Sequence, residues 1–354
     1  MQNTESSLDL ITVPNISAES LYSKKSQNRD SVREIAIKIL AEVMRFRRVP
    51  KSSESCGDSE CQKCSSSHLP NIISAVKNNK PVTFVLPAFP GKSPNLKKVL
   101  GTLPDRAEEL SLDFLGDLCK RIKKYYLPGI KIIICSDGRV FSDVVGMKES
   151  DVTAYQVELD RLINEMALSD ISTFNLDDYY KELDFVQMRD ELMGVYGKSL
   201  DSLRENVRNG SKPSGNLEEK EANRMYCGIT RFLFEDAMHP GQTKSRASIQ
   251  KEARAKTYEV IRRSNAWTEL IAEYFPEAVR LSIHPQTCGS KKLGIRLIGN
   301  ESWMTPWHGV AVETNEGFVL LKRSEAEDLG AELIYFSDGR PSHYKLKADQ
   351  NLSM

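Results

Sequence analysis

Three short stretches carry side chains able to move protons or grip anions. The first is Gly91-Lys92-Ser93, which follows the apolar run at 81–86 (PVTFVL). A lysine and a serine leaving the carboxyl end of a strand suit an anionic group or amine chemistry, and equally an ordinary solvated loop. Gly-Lys-Ser also closes the phosphate-cradling P-loop. That motif needs a glycine five positions before its second glycine, where this chain has Leu86. A second Gly-Lys-Ser at 197–199 fails likewise, with Leu192 in the glycine position. The second stretch is Asp137-Gly138-Arg139, with Asp143 four residues on, after the run at 131–135 (KIIIC). Aspartate can accept a proton and arginine can clamp a carboxylate or phosphate; a plain turn closed by a salt bridge is the alternative. The third is Arg280 and His284, on and just after the run at 278–283, which Pro285 ends. Histidine titrates near neutrality and is the natural proton shuttle, although a lone histidine is as readily structural.

A further cluster looks structural. Cys56, Cys61, Cys64 and His68 have the spacing C-x4-C-x2-C-x3-H in a Ser/Gly-rich insert at 51–68. Structural zinc, free thiols and a disulfide all fit that pattern. Cys119, Cys135, Cys227 and Cys288 show no partner in the sequence and read as buried core residues.

The elements that must position these groups follow from periodicity. Ser31 and Glu34 have capping-box spacing, and Val32, Ile35, Ile39, Val43 and Phe46 mark one helical face. Residues 81–86 read as a buried strand. A helix opens at Pro104-Asp105, with Leu110, Phe114, Leu118 and Ile122 at four-residue intervals, and 131–135 form the next strand. That βαβ unit predicts two parallel strands with a right-handed crossover, and a ligand site outside their carboxyl ends. Residues of about 150–275 read as mostly helical, strongest at 155–167, 185–195, 217–237 and 248–274, with a flexible loop at 209–215. Strands return at 278–283, 293–298, 309–313, 318–321 and 333–336. If 278–283 lies parallel to the first two strands, Lys92, Asp137 and His284 meet in one crevice. A short loop predicts that 293–298 runs antiparallel to its predecessor. In a simple meander, His308 (Thr305-Pro306-Trp307-His308) then falls at the opposite end of the sheet.

The expected fold class is therefore α/β, a parallel core with antiparallel additions and a mostly helical segment. Residues 1–29 read as a flexible tail and 30–354 as a single domain. The 354 residues hold 49 basic and 49 acidic side chains, which argues against nucleic-acid binding by phosphate neutralisation. Apolar residues make up 40%, with 3 Trp, 12 Tyr and 12 Phe, the composition of a folded globule. No apolar run approaches the roughly 20 residues of a membrane span, and no basic-then-apolar segment opens the sequence, so a signal peptide is not expected. The seven cysteines then read as reduced thiols in the cytoplasm.

Seven segments in order resemble one family. They are 86–95 (LPAFPGKSPN), 100–109 (LGTLPDRAEE), 135–143 (CSDGRVFSD), 231–236 (RFLFED), 263–270 (RSNAWTEL), 275–285 (FPEAVRLSIHP) and 305–310 (TPWHGV). Across roughly residues 30–325 the chain resembles the isocyanide (isonitrile) synthases, the pyoverdine/dityrosine biosynthesis proteins. The resemblance implies a modified Rossmann-like catalytic domain that converts the α-amine of an amino acid, tyrosine first and tryptophan next, into an isonitrile. It implies ribulose 5-phosphate as donor of the extra carbon from C2, and no cofactor for catalysis. Its substrates are then small molecules, with no nucleic acid and no membrane, and a downstream iron/2-oxoglutarate oxygenase acts on the product. Fungal relatives in spore-wall synthesis make a formylated tyrosine instead.

On this reading Lys92 and His284 handle protons or an imine, and Asp137 orients or accepts. Ser93, Arg139 and Arg280 hold the anions, with Lys291 or Lys292 in reserve. The TPWH match makes His308 a site residue against the topological expectation. Two other readings stand beside this one: N-formyl amino acid synthesis on the same fold, and a non-catalytic, zinc-stabilised phosphosugar- or phosphopeptide-binding protein. A nucleotide-dependent kinase is disfavoured by the failed P-loop.

Overall fold

A computed structural model describes residues 18–50, 61–299 and 304–347, with side chains from Ser31 onward. Helices α1 (Ala18–Met44) and α2 (Gln62–Lys77) precede β1 (Val82–Pro87), α3 (Arg106–Lys123) and β2 (Ile130–Cys135). Next come α4 (Gly138–Val145), α5 (Glu149–Glu165), β3 (Ile171–Phe174) and α6 (Leu176–Tyr179). A helical run follows: α7 (Phe185–Tyr196), α8 (Leu200–Gly210), α9 (Leu217–Ala237) and α10 (Arg246–Tyr274). The chain then forms β4 (Val279–Ser282), β5 (Leu293–Gly294) and a 3-10 turn (Pro306–His308). It ends in β6 (Val310–Thr314), β7 (Gly317–Leu321), α11 (Arg323–Asp328), β8 (Glu332–Tyr335) and β9 (Pro341–Lys345).

The main sheet has the order β3-β2-β1-β4-β5, and every neighbouring pair is parallel. Helices cover both faces, as a parallel sheet requires. The two-residue side-chain period sends Phe84 and Leu86 of β1 into one core with Ile39, Ile72 and Leu115 of α1, α2 and α3. Val85 points the other way, into a core with Leu192 of α7 and Trp267 and Leu270 of α10. Trp267 donates from its indole nitrogen to the Cys135 carbonyl (3.3 Å), fixing α10 against the end of β2. Helices α8, α9 and α10 share a third core around Leu203, Leu233 and Ile261.

The parallel core and its βαβ unit are as expected. The helix expected at Pro104-Asp105 is α3, opened by a capping box in which Asp105 and Glu108 satisfy each other's backbone amides. Other expectations are corrected. Helix α1 begins at Ala18, ahead of the capping-box spacing at Ser31. The segment read as mostly helical contains β3, which pairs with β2 at the edge of the sheet. Strand β5 is parallel to β4, not antiparallel. The registered pairing is only Leu281 with Leu293 and Ser282 with Gly294, so the intervening loop returns over a very short strand and needs no helix to cross. The antiparallel additions exist, in a separate four-stranded sheet of order β7-β6-β9-β8.

Candidate active site

Strands β2, β1 and β4 are adjacent and parallel, so their carboxyl ends share one edge of the sheet. Asp137, the loop at 87–95 and His284 all leave from that edge. Two strand spacings, about 10 Å, separate the outer pair at backbone level. Gly138 permits the closest approach: a Cβ there would lie 1.9 Å from the Pro90 carbonyl oxygen, so only glycine lets the β2 loop rest on the β1 loop.

The turn holding His308 enters from the second sheet and lies across the β1 loop. The Ser93 amide donates to the Trp307 carbonyl (2.8 Å), and Lys92 Nζ donates to the Pro306 carbonyl (3.1 Å). His308 is thus on the crevice side. The meander expectation fails because the strands after β5 leave the first sheet instead of extending it. His308 Nδ1 lies 4.0 Å from Asp236 Oδ2, and the Phe232 ring packs 5.1 Å from the imidazole. Asp236, the last residue of the RFLFED segment, accepts from Ser93 Oγ (2.7 Å) and Lys98 Nζ (2.6 Å).

Electrostatics separate the groups that can react from those that hold the frame. Burial pushes the Asp137 carboxyl up to about 7, and its Oδ1 is buried with no hydrogen-bond partner. A carboxyl poised there exchanges protons at neutral pH. Burial pulls His284 down to about 4, helped by Lys292 and Arg48. The His284 side chain is nevertheless exposed at the surface. His308 behaves alike: its side chain is 26% exposed, yet burial draws it down to about 4, and the field of His284 adds to the effect. The two imidazoles therefore feel each other, and both are neutral at pH 7.

Beside His284 stands a cationic group. Burial, then Arg280, lowers Lys292 to about 8; Arg280 is itself lowered by burial. Both rest on Thr268 of α10: Arg280 donates to its carbonyl (3.2 Å) and Lys292 Nζ lies 3.5 Å from its hydroxyl. Arg48 backs them by donating to the Ile283 carbonyl (2.7 Å). Glu269 and Glu221 oppose the lowering of Lys292 without cancelling it. Cations that depress one another in this way form a ready anion site.

Several expected site residues have other work. Lys92 is wholly buried, 2.8 Å from Asp105 Oδ2 and 2.7 Å from Glu108 Oε2. Burial alone disfavours its charge, but the two carboxylates outweigh that and raise its pKa. A charged amine enclosed by two acids is not set up to form an imine or take a proton, and in this structure Lys92 pins the β1 loop onto α3. Arg139 is also sequestered: it binds Glu149 (2.9 Å) and the Thr153 hydroxyl (2.6 Å), and stacks 3.9 Å from the centre of the Phe185 ring. It ties α4 to α5 and α7 and is not free to clamp substrate. Asp143 pairs with Arg263 of α10 (2.7 Å). Ser93 is buried and committed to Asp236, and Lys291 is exposed while its neighbour Lys292 faces the cations.

Of the cysteine insert, Cys56 lies outside the described residues. Cys61 and Cys64 open α2, and His68 is buried one turn further on but takes no part in their thiol group. Cys288 joins them instead. The residues that sequence reasoning missed are Asp105, Glu108, Lys98, Asp236 and Thr268. All but Lys98 stand inside quoted segments, but nothing in a sequence says which buried acid meets which lysine.

The comparisons with known proteins come from both sequence and structure. The family model described as pyoverdine/dityrosine biosynthesis protein matches residues 72–334. The chain is 44% identical to an L-tyrosine isonitrile synthase of Xenorhabdus nematophila, covering 90% of this chain and 93% of that protein. It is 43% identical to the L-tryptophan isonitrile synthase AmbI2 of Fischerella ambigua, covering 88% of this chain and 91% of that protein. The crystal structure of PvcA from Pseudomonas aeruginosa superposes with a TM-score of 0.81 at 42% identity, covering 88% of this chain and all of that one.

Proposed function

The chain belongs to the pyoverdine/dityrosine biosynthesis family, the isocyanide synthases, and from that premise we propose that it converts the α-amine of an aromatic L-amino acid into an isonitrile with ribulose 5-phosphate as carbon donor. One observation carries the reading. A carboxyl poised near neutrality, Asp137, follows the end of β2, and two strands along the same sheet a cationic group, Arg280 within β4 and Lys292 just before β5, stands with the neutral imidazole of His284, while His308 lies across the β1 loop between them.

The division of labour follows from charge. Arg280 and Lys292 hold the phosphate of the sugar. The amino acid arrives with a protonated amine, which must lose a proton before it can attack the C2 ketone; Asp137 in its carboxylate form accepts it. The carbinolamine then loses water, which leaves readily only if protonated, and protonated Asp137 or a histidine supplies that proton. His284 and His308 are neutral in the free protein, so each can accept a proton during the later cleavages of the C–C bonds flanking the former carbonyl carbon. Binding a phosphate beside His284 raises its pKa and primes it for this step. At pH 7 about a tenth of Lys292 is uncharged, which leaves it competent for amine chemistry as well as anion binding. The downstream consumer of such a product is an iron/2-oxoglutarate oxygenase.

Identities to the tyrosine and tryptophan enzymes are 44% and 43%, so the assay carries both amino acids, tyrosine first. Purified protein is incubated with ribulose 5-phosphate and each amino acid. The expected product has gained one carbon and lost both amine hydrogens by mass, and shows the isonitrile stretch in the infrared. A formamide absorption without that stretch turns the assignment to N-formyl synthesis; sugar phosphate bound but unconsumed turns it to a binding protein.

A further inference from the structure

We infer that Cys61, Cys64 and Cys288 form a structural zinc site that clamps the loop carrying His284 and Lys292 onto the start of α2. The three sulfurs lie within 4.8 Å of one another. Cys61 Sγ is 3.3 Å from Cys288 Sγ, and Cys64 Sγ is 3.8 Å from it. A disulfide needs a separation of about 2.05 Å, so Cys288 is bonded to neither Cys61 nor Cys64. Three thiolates around one zinc at Zn–S of about 2.3 Å stand about 3.8 Å apart along the edges of a tetrahedron. The two spacings to Cys288 fall on or just inside that edge. The set is drawn from two segments more than 200 residues apart, as the 227-residue separation of Cys61 and Cys288 records.

The surroundings suit a clamp. Cys61 occupies the N-cap position of α2 and Cys64 its first turn, so both sulfurs sit at the same end of one helix. The Gly289 amide points at Cys64 Sγ (3.4 Å), the kind of donor that supports a metal-bound thiolate. Gly289 turns that amide inward through a left-handed backbone (φ +79°). Ser67 of α2 donates to the Gly289 carbonyl (3.1 Å), so the loop is already held to the helix in register. Soft sulfur ligands, of which the described residues supply three, select zinc among the common divalent ions, and binding releases the thiol protons. The ligand set differs from the one the spacing suggested: Cys288 takes part and His68 does not.

The consequence reaches the crevice. Cys288 stands four residues after His284 and four before Lys292, so a metal at this point fixes the segment that supplies both. The zinc stands apart from the reaction and holds whether or not the isonitrile reading does.

The test uses the full chain, incubated with zinc, desalted and measured by plasma mass spectrometry. One zinc per chain is expected, falling below about a tenth of that in Cys288→Ser. Cys227→Ser, at an exposed thiol outside the group, should keep full loading. Because Cys288→Ser may not fold, the wild-type protein is also alkylated with and without a chelator, and the modified cysteines are mapped. Cys61, Cys64 and Cys288 should be protected only when zinc is present, while Cys227 reacts in both. Wild-type protein that takes up no zinc, or protection of the three thiols that survives chelation, overturns the inference. So does a folded Cys288→Ser protein that loads fully.

Discussion

Asp137 and Lys92 look alike in the sequence, each a charged residue in a loop after an apolar strand, yet they differ in what surrounds them. Asp137 is buried without a partner for Oδ1, which lifts its carboxyl to about 7. Lys92 is buried between two acids, which keeps it charged. Substituting Asp137→Asn should therefore lower kcat by about 10²–10⁴-fold and remove the ascending limb near pH 7 from the rate profile. The same variant should be the more stable protein at pH 8. The folded pKa lies above the unfolded one, so the wild type loses stability as pH rises from about 4 to about 7, by up to about 4 kcal/mol. Urea unfolding of both proteins at pH 5 and pH 8 checks the sign. Lys292→Met should chiefly raise the KM for the sugar phosphate. The placement of Asp137 and His284 at one edge of the sheet was legible because strand ends are legible. The enclosure of Lys92 was not, since Asp105 and Glu108 come from the start of α3, and no periodicity reports which carboxylates will face it.

At the scale of elements, the crevice depends on two loops touching and on one loop being pinned. Gly138→Ala would set a methyl group 1.9 Å from the Pro90 oxygen, so the backbone must separate there. Activity should collapse, with a stability loss of about 1–3 kcal/mol by thermal unfolding. Lys92→Met leaves Asp105 and Glu108 buried together without their cation and should cost about 3–5 kcal/mol at pH 7. A variant with lost activity but undiminished stability would instead return Lys92 to the chemistry. The βαβ unit, the α3 capping box and the convergence of three strand ends were all readable from apolar runs and turn residues. Strand β3 was not, being four residues between helices, and β5 was misdirected by a loop-length rule that assumes strands of ordinary length. That error, together with treating all later strands as one sheet, is what put His308 at the wrong end.

Across the whole molecule, the buried histidines set the acid limit of the fold. Burial holds His68 and His308 near 4, well below the unfolded value. Stability that is present above about pH 6.5 should drain away as pH falls towards 4, because the unfolded chain binds protons that the native one refuses. His68 is only 3% exposed and alone accounts for up to about 3 kcal/mol of this, so His68→Gln should flatten the acid side of the stability curve. No helix among the described residues is long and apolar enough to cross a membrane. The two sheets and the helical run meet where the β1 loop carries the His308 turn and Ser93 reaches Asp236, on the sheet edge that Asp137 and His284 also leave. Ribulose 5-phosphate labelled with carbon-13 at C2 tests that assembly most directly. Turned over with L-tyrosine or L-tryptophan and read by carbon-13 NMR, the label should appear in an isonitrile carbon bonded to the former α-amine nitrogen. A product whose nitrogen-bound carbon is unlabelled, or labelled sugar phosphate returned intact, would contradict the account.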